Sequence, residues 1–163
     1  MPNRGLLLTM TEPPRTMEEE FNAWYDGEHL PERLSIAGFR SALRWVADGG
    51  AGKGKGKYLA TYELDSAGVL ASPEYLSYYN RPTPWTRRCL SRAVVFKRWA
   101  CEQLGEADPH PAAKALLASF DEPDLALPQV LQVRRFVAAE GENIALYELA
   151  QPYPGAYRRY HPA

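Results

Sequence analysis

The sequence predicts an α+β fold, and three observations lead to that prediction. Strand-like and helix-like segments alternate through residues 1–104. One helix-like segment, which begins at Thr16, concentrates aromatic, acidic and histidine side chains. Residues 105–163 partly repeat the pattern of the first segment. We therefore expect a main unit over residues 1–104 and a degenerate partial repeat over residues 105–163, packed on the same domain.

Four strands are predicted in the main unit from short apolar runs and alternating side chains. They are Gly5–Thr11, Phe39–Ala47, Lys57–Leu64 and Ser91–Cys101. Ser72 and Thr83 are each followed by proline, which is typical of a helix start, and they precede the fourth strand. The glycine- and lysine-rich stretch Asp48–Lys57 is predicted to be a loop, because it lacks the context of a phosphate-binding loop. The order strand, helix, strand, strand, helix, strand predicts a ferredoxin-like βαββαβ unit.

The partial repeat relates residues 105–163 to the main unit. It matches Leu34–Ala47 with Leu125–Ala138, and Leu59–Leu64 with Ile144–Leu149. In the second copy, a helix is predicted over Ala112–Ser119, without the acidic, aromatic and histidine content of the first. A hairpin of Val130–Ala138 and Asn143–Leu149 is expected to extend the sheet. The first copy is therefore expected to carry the chemistry, and the second to be structural.

The helix that begins at Thr16 is the predicted centre of the site. Thr16 and Glu19 have the spacing of a capping box, and Pro31 is expected to end the helix near Glu28 or His29. Its apolar stripe is formed by Met17, Phe21, Trp24 and Tyr25. Helical geometry places Glu28 near the middle of this stripe and His29 at its flank. A carboxylate and an imidazole beside large aromatics indicate a functional site.

His29 is the leading candidate for a catalytic residue, because an imidazole titrates near neutral pH. The alternative is a helix-end histidine that binds a backbone carbonyl or balances the helix dipole. Glu28 is the second candidate; it either orients His29 or forms a structural ion pair with Arg40 or Arg44. Apolar surroundings lower the pKa of a histidine and a nearby carboxylate raises it, so we expect a pKa near neutrality. Asp26 is expected to face solvent.

Aromatic residues are predicted to line a substrate pocket. The candidates are Trp24, Tyr25, Trp45, Tyr62, Tyr75, Tyr79 and Trp85. For each of them the alternative is a place in the core. The hydroxyl group of Tyr62 or Tyr25 is a candidate to polarise a substrate oxygen. Trp85 is expected either at the pocket rim or at a dimer contact.

Composition argues against several classes of function. The net charge of −1 gives no electrostatic reason to expect nucleic acid or an acidic membrane as a partner. No signal peptide and no apolar run of transmembrane length are visible, so we expect a cytoplasmic protein with reduced cysteines. The two cysteines and three histidines lack the spacing of metal ligands.

Four sequence blocks form a pattern that is similar to a known family. They contain W-Y-x-x-E-H-L-P, the most specific part, and are Phe21–Leu34, Gly38–Trp45, Tyr58–Leu64 and Pro82–Arg88. The pattern resembles the EthD-like branch of the dimeric α+β barrel superfamily. The likeness covers residues 4–101 well and residues 125–149 weakly.

This resemblance implies a ferredoxin-like protomer whose sheet pairs with that of a second copy to close a barrel, with a pocket between sheet and helices. The apolar faces of the predicted strands also favour a homodimer. Relatives are small cofactor-free enzymes that act on aromatic, polyketide-like or lactone compounds. Some members of the wider superfamily bind haem through a histidine on the second helix. Because residues 66–80 contain no His, Cys or Met, we expect neither haem nor any other cofactor.

Two functions are therefore expected as alternatives. The first is a cofactor-independent enzyme that performs acid–base chemistry on a small hydrophobic, aromatic or polyketide-like molecule. The reaction would be a cyclisation, isomerisation, dehydration or decarboxylation, or else an oxygenation. The second is a non-catalytic protein of the same fold that binds a small ligand.

Overall fold

Eight antiparallel strands of this chain form a closed barrel in the computed structural model, which describes residues 2–48 and 56–161. The strands are β1 (Gly5–Glu12), β2 (Phe39–Ala47), β3 (Tyr58–Leu64), β4 (Val95–Leu104), β5 (Ala115–Phe120), β6 (Val130–Ala138), β7 (Asn143–Leu149) and β8 (Tyr157–Arg159). Their order around the barrel is β1, β3, β2, β8, β5, β7, β6 and β4, and β4 pairs with β1 to close it. Most of the predicted loop Asp48–Lys57 lies outside the described residues.

The prediction of a ferredoxin-like α+β protomer that forms a dimeric α+β barrel is wrong. The barrel closes within one chain, and the described residues form more strand than helix. Strands β1–β4 join strands β5–β8 at two seams, where β2 pairs with β8 and β4 pairs with β6. The sheet face that was expected to pack on a second copy packs instead on strands from the second half of the same chain.

The two halves of the barrel have the same strand order. It is β4-β1-β3-β2 in the first half and β8-β5-β7-β6 in the second. The segments that match in the sequence become β2 and β6, and β3 and β7. The helix predicted over Ala112–Ser119 is wrong, because the backbone of β5 pairs there with both β7 and β8. β6 and β7 pair with each other, but they help to close the barrel rather than extend an open sheet.

Short helices lie outside the first half of the barrel. They are α1 (Glu18–Trp24), a π-helical turn (Tyr25–His29), α2 (Leu30–Leu34), α3 (Pro73–Asn80) and α4 (Pro84–Arg92). The predicted caps of the last two are confirmed, because Ser72 Oγ accepts a hydrogen bond from the amide of Tyr75 and Thr83 Oγ1 accepts one from the amide of Thr86. Within residues 2–48 and 56–161, no helix is long and apolar enough to cross a membrane.

The first helix runs further than predicted. It continues through Pro31 to Leu34 by way of the π-helical turn. The amide of Leu30 donates to the carbonyl of Tyr25, five residues earlier, and Pro31 then lies in the first turn of α2. Proline is tolerated in the first turn of an α-helical segment, since its fixed φ angle suits that position. The capping box is also wrong: the helix opens with a short 3-10 turn, and Thr16 makes no capping bond.

Alternate strand residues divide the apolar side chains between the barrel interior and the outer surface. The interior core includes Leu6, Leu8, Met10, Trp45, Leu59, Cys101, Leu116, Phe136, Ile144, Leu146 and Tyr157. Outside the first half, Phe21 and Trp24 of α1 pack on Tyr58 and Tyr62 of β3. Outside the second half, loop residues such as Leu125 cover the outward side chains of β5 and β7. The helices that border a cavity therefore belong to the first half.

A buried ion cluster crosses the barrel interior. Arg134 on β6 donates two hydrogen bonds to Glu63 on β3, with N–O distances of 2.8 and 3.0 Å, and a third to Glu148 on β7 at 3.3 Å. β3 and β6 are not neighbours in the barrel, so the first pair links its two halves. Burial lowers the pKa of Arg134, but the two carboxylates outweigh this and raise the pKa above its usual value.

We expect Arg134→Met to lower the free energy of unfolding by about 3–5 kcal/mol, because two carboxylates would stay buried without their cation. Urea unfolding at neutral pH measures the change. Arg135→Met is the matched control: the Arg135 side chain is 49% exposed, against 2% for Arg134, and its partner Asp124 is also exposed. The control should lose at most about 1 kcal/mol. Equal losses in the two variants would contradict the role of the cluster.

We also expect the protein to be a monomer in solution, since the closed barrel leaves no sheet face that a second copy must cover. Light scattering coupled to size exclusion should give the mass of one chain, 18.3 kDa. A stable mass of twice this value would show that copies associate through another surface.

Candidate functional site

A cavity of about 120 Å³ lies between the outer face of the first half of the barrel and its helices. Leu7, Thr9 and Thr11 of β1 form part of its floor. Tyr79 and Phe96 also line it and are each about half exposed, so they mark its mouth. A pocket between sheet and helices was predicted, and the structure contains one.

The π-helical turn determines which side chains reach this cavity. Tyr25 and His29 belong to the turn and Arg33 lies four residues further, so all three face the sheet. The turn inserts one extra residue, which rotates the following positions by about 100°. His29 therefore takes the central place in the apolar stripe that was predicted for Glu28.

His29 is buried among aromatic rings. Its imidazole stacks on Trp24 with 4.6 Å between ring centres and meets the ring of Tyr25 edge-on at 5.0 Å. Only 8% of the residue is exposed, and its Nδ1 is buried without a hydrogen-bond partner. A buried polar atom without a partner lowers stability, so the imidazole at this position does not contribute to the fold through a hydrogen bond from Nδ1.

The pKa of His29 is lowered to about 3, first by burial and then by the positive charges of Arg33 and Arg44. The expectation of a pKa near neutrality is therefore wrong. The carboxylate that was expected to oppose burial does not offset it, and the imidazole is neutral at pH 7.

Glu28 has a different environment from the predicted one. Its Oε2 accepts hydrogen bonds from Thr83 Oγ1 at 2.7 Å and Thr86 Oγ1 at 3.4 Å, at the N-terminus of α4. Glu28 therefore holds α4 to the first helix, and no hydrogen bond joins it to His29. Asp26, which was expected to face solvent, instead pairs with the buried Arg44 at 3.0 Å.

Three hydroxyl groups lie in a chain beside the imidazole. Tyr25 and Tyr62 are 2.9 Å apart at their hydroxyl oxygens, and Thr9 Oγ1 is 3.3 Å from that of Tyr25. Burial raises the pKa of Tyr62 well above its usual value, so this phenol stays protonated. A protonated phenol is a hydrogen-bond donor, which suits the predicted role of polarising an oxygen.

Arg33 and Arg98 are the charged site residues that sequence analysis missed. Both line the cavity, Arg33 from α2 and Arg98 from β4. In the sequence they resemble surface charges, but Arg33 is only 7% exposed. The period of two along β4 contains a signal for Arg98, because Phe96 and Arg98 share a face and pair with Thr11 and Thr9 of β1.

The structure brings most of the predicted site residues together. His29, Trp24, Tyr25, Tyr62, Tyr75 and Tyr79 all line the cavity. Trp45 does not, because it points into the barrel and donates to Thr61 Oγ1. Trp85 does not line it either, and its indole donates to Glu20. Glu28 supports the wall without lining it.

The described residues contain no group of three or more His, Cys, Asp and Glu side chains that could hold a metal ion. Both cysteines are free and buried. Burial raises the pKa of Cys89 to about 11 and that of Cys101 to about 12, so neither is a thiolate at neutral pH. His29 and the hydroxyl chain are thus the groups placed to move or share a proton.

We expect His29 to make stability fall in acid. Its pKa is about 3 when folded and about 6.5 when unfolded, so the unfolded chain binds the proton first. The stabilisation is complete above about pH 6.5 and is lost as the pH falls towards 3. From pH 6 to 4.5, wild type should lose about 2 kcal/mol more than His29→Gln in urea unfolding.

The exposed His161 provides the control for this measurement. His161→Gln should keep the pH dependence of the wild type. Parallel profiles for wild type and His29→Gln would contradict a lowered pKa at His29.

Comparison with known proteins gives no assignment for this chain. No family model matches it, and no curated protein matches it significantly.

Proposed function

We propose that this protein catalyses proton transfer on a small hydrophobic or aromatic molecule bound in the cavity, without a cofactor. The observation that carries the proposal is the neutral, buried imidazole of His29, which lines the cavity and whose Nδ1 is buried without a hydrogen-bond partner. Proton transfer changes no oxidation state, so imidazole and phenol side chains suffice for it.

The low pKa of His29 suits a base that acts only when substrate is bound. The positive charges of Arg33 and Arg44 oppose a further positive charge on the imidazole ring. Removal of a proton from a carbon acid creates an enolate, whose negative charge offsets the positive charge of the imidazolium. The pKa of His29 therefore rises as the substrate loses its proton, because the developing enolate charge stabilises the protonated imidazole.

Tyr25 and Tyr62 are placed to stabilise the developing negative charge. Their hydroxyl groups bond to each other beside the imidazole, in surroundings from which water is largely excluded. Hydrogen-bond donors that are oriented in advance are worth more in such surroundings than in water. An enolate oxygen near this pair would receive a hydrogen bond without rearrangement of the protein.

A non-catalytic binding protein is the second candidate. The aromatic rings that surround His29 favour it, because stacked rings bind a flat apolar ligand without any chemistry. The resemblance to the EthD-like family is compatible with both candidates and is itself a proposal. We also propose a cytoplasmic location, since both cysteines are free.

Deuterium exchange tests the enzymatic proposal without knowledge of the natural substrate. Phenylacetone, a one-ring ketone with exchangeable hydrogens next to its carbonyl, is incubated with protein in D₂O and followed by NMR. Wild type should accelerate the exchange above the buffer rate, and His29→Gln should lose about 10²- to 10⁴-fold of that acceleration. Binding of phenylacetone should change much less.

His161→Gln is the matched control and should exchange at the wild-type rate, because His161 is exposed and does not line the cavity. Melting temperatures of all variants separate lost activity from lost structure. If phenylacetone binds but wild type and His29→Gln both leave its exchange at the buffer rate, the binding protein is the better description.

A further inference from the structure

The cavity beside His29 has an excess of positive charge. Arg33 and Arg98 line it, and no Asp or Glu in the described part of the chain does so. Glu32 pairs with Arg33 at 3.0 Å and balances one charge. Arg98 forms no ion pair within the described residues; its Nη2 donates to the hydroxyl of Tyr75 at 2.9 Å. Among the residues that the structure describes, at least one positive charge at the cavity wall is thus left without a counter-charge.

The two guanidinium groups approach the same side chain. The guanidinium carbon of Arg33 lies 5.4 Å from the ring centre of Tyr75, and that of Arg98 lies 6.0 Å from it. Arg98 is also 5.4 Å from the ring centre of Tyr79, at the cavity mouth. Both positive charges therefore lie within 6.0 Å of the centre of one cavity-lining ring, that of Tyr75.

The size of the cavity limits what can enter it. An apolar cavity of about 150 Å³ in another protein binds benzene, so about 120 Å³ matches a single six-membered ring better than a fused ring system. The rings of Trp24 and Tyr62 provide apolar wall. A substituent on such a ring would reach Arg98, since Arg98 is half-buried between the interior and the mouth.

We propose that the ligand of this cavity is a monocyclic aromatic carboxylate, with its ring against Trp24 and His29 and its carboxylate bound by Arg98 and Arg33. Guanidinium groups match the geometry of a carboxylate and bind it through charge-assisted hydrogen bonds. The inference deepens the proposed function and rests on it, because it names the substrate class for the same cavity. It also narrows that class, since a volume of about 120 Å³ matches one ring rather than a polyketide.

Benzoate and benzamide test the inference, because they have nearly the same shape and differ in charge. Isothermal titration should give wild type at least about a tenfold preference for benzoate. Arg98→Met should remove most of this preference, with little change in benzamide binding. Arg87→Met is the control and should keep the preference, since Arg87 is exposed on α4 and does not line the cavity.

Arg98→Lys is the second variant, to be used if Arg98→Met folds poorly. It retains the charge but loses the planar fork, so it should bind benzoate more weakly than wild type and still prefer it to benzamide. Equal affinities of wild type for the two ligands would overturn the inference. So would an equal loss for both ligands in the Arg98 variants, or dissociation constants above about 10 mM for both ligands in wild type.

Deuterium exchange and the comparison of benzoate with benzamide test the proposed function and the ligand class independently. Loss of the charge preference with retained deuterium exchange removes the anionic ligand and leaves proton transfer in place. Selective benzoate binding without any exchange supports the ligand class and assigns it to a binding protein rather than to an enzyme.

Discussion

Closure of the barrel within one chain is the constraint on which the rest of the structure depends. The seam between β2 and β8 has only three paired positions, from Trp45 with Arg159 to Ala47 with Tyr157. The seam between β4 and β6 has four, from Cys101 with Ala138 to Leu104 with Arg135. These short seams join the strands into one ring, although residues 39–44 of β2 and 95–100 of β4 have a strand neighbour on one side only. The interior core is then complete, and the outer surface determines where a ligand can bind.

The outer surface differs between the halves although their strand order is the same. Helices cover the first half and irregular loops cover the second. The helices contribute large rings, but β1 presents the short side chains of Thr9 and Thr11 beneath them. Short floor residues under bulky walls leave unfilled volume, because neither layer can approach further without a clash between rings and backbone. The cavity follows from this mismatch, and its polar floor makes it more than a packing defect.

The strands were the most predictable part of the fold, and their arrangement was the least. β2 and β3 alternate apolar and polar residues, so their positions are visible locally. β5 has the composition ALLASF, which is rich in good helix formers, and only pairing with β7 and β8 makes it a strand. A seam between strands that are more than a hundred residues apart, as β2 and β8 are, leaves no mark in a local pattern.

The sequence drew attention to the helix that borders the cavity, but not to the geometry of its side chains. The signal was the density of aromatic and charged residues around His29, because few surface helices need so many rings on one face. The π-helical turn was invisible, since it follows from tertiary packing and not from propensity. Because of one inserted residue, the imidazole of His29 lies at the centre of the apolar stripe, where the carboxylate of Glu28 was predicted. A pattern with a period of 3.6 residues cannot predict an element that changes the period itself.

The environment of His29 gives its imidazole no stabilising role in the fold. Trp24 and Tyr25 surround it with rings, which a phenylalanine would satisfy as well without a buried nitrogen that lacks a partner. Arg33 and Arg44 further penalise its charged form. Burial and the two arginines together disfavour the charged form of the imidazole, and under the proposed function a negative charge on a bound ligand would offset the effect of the arginines.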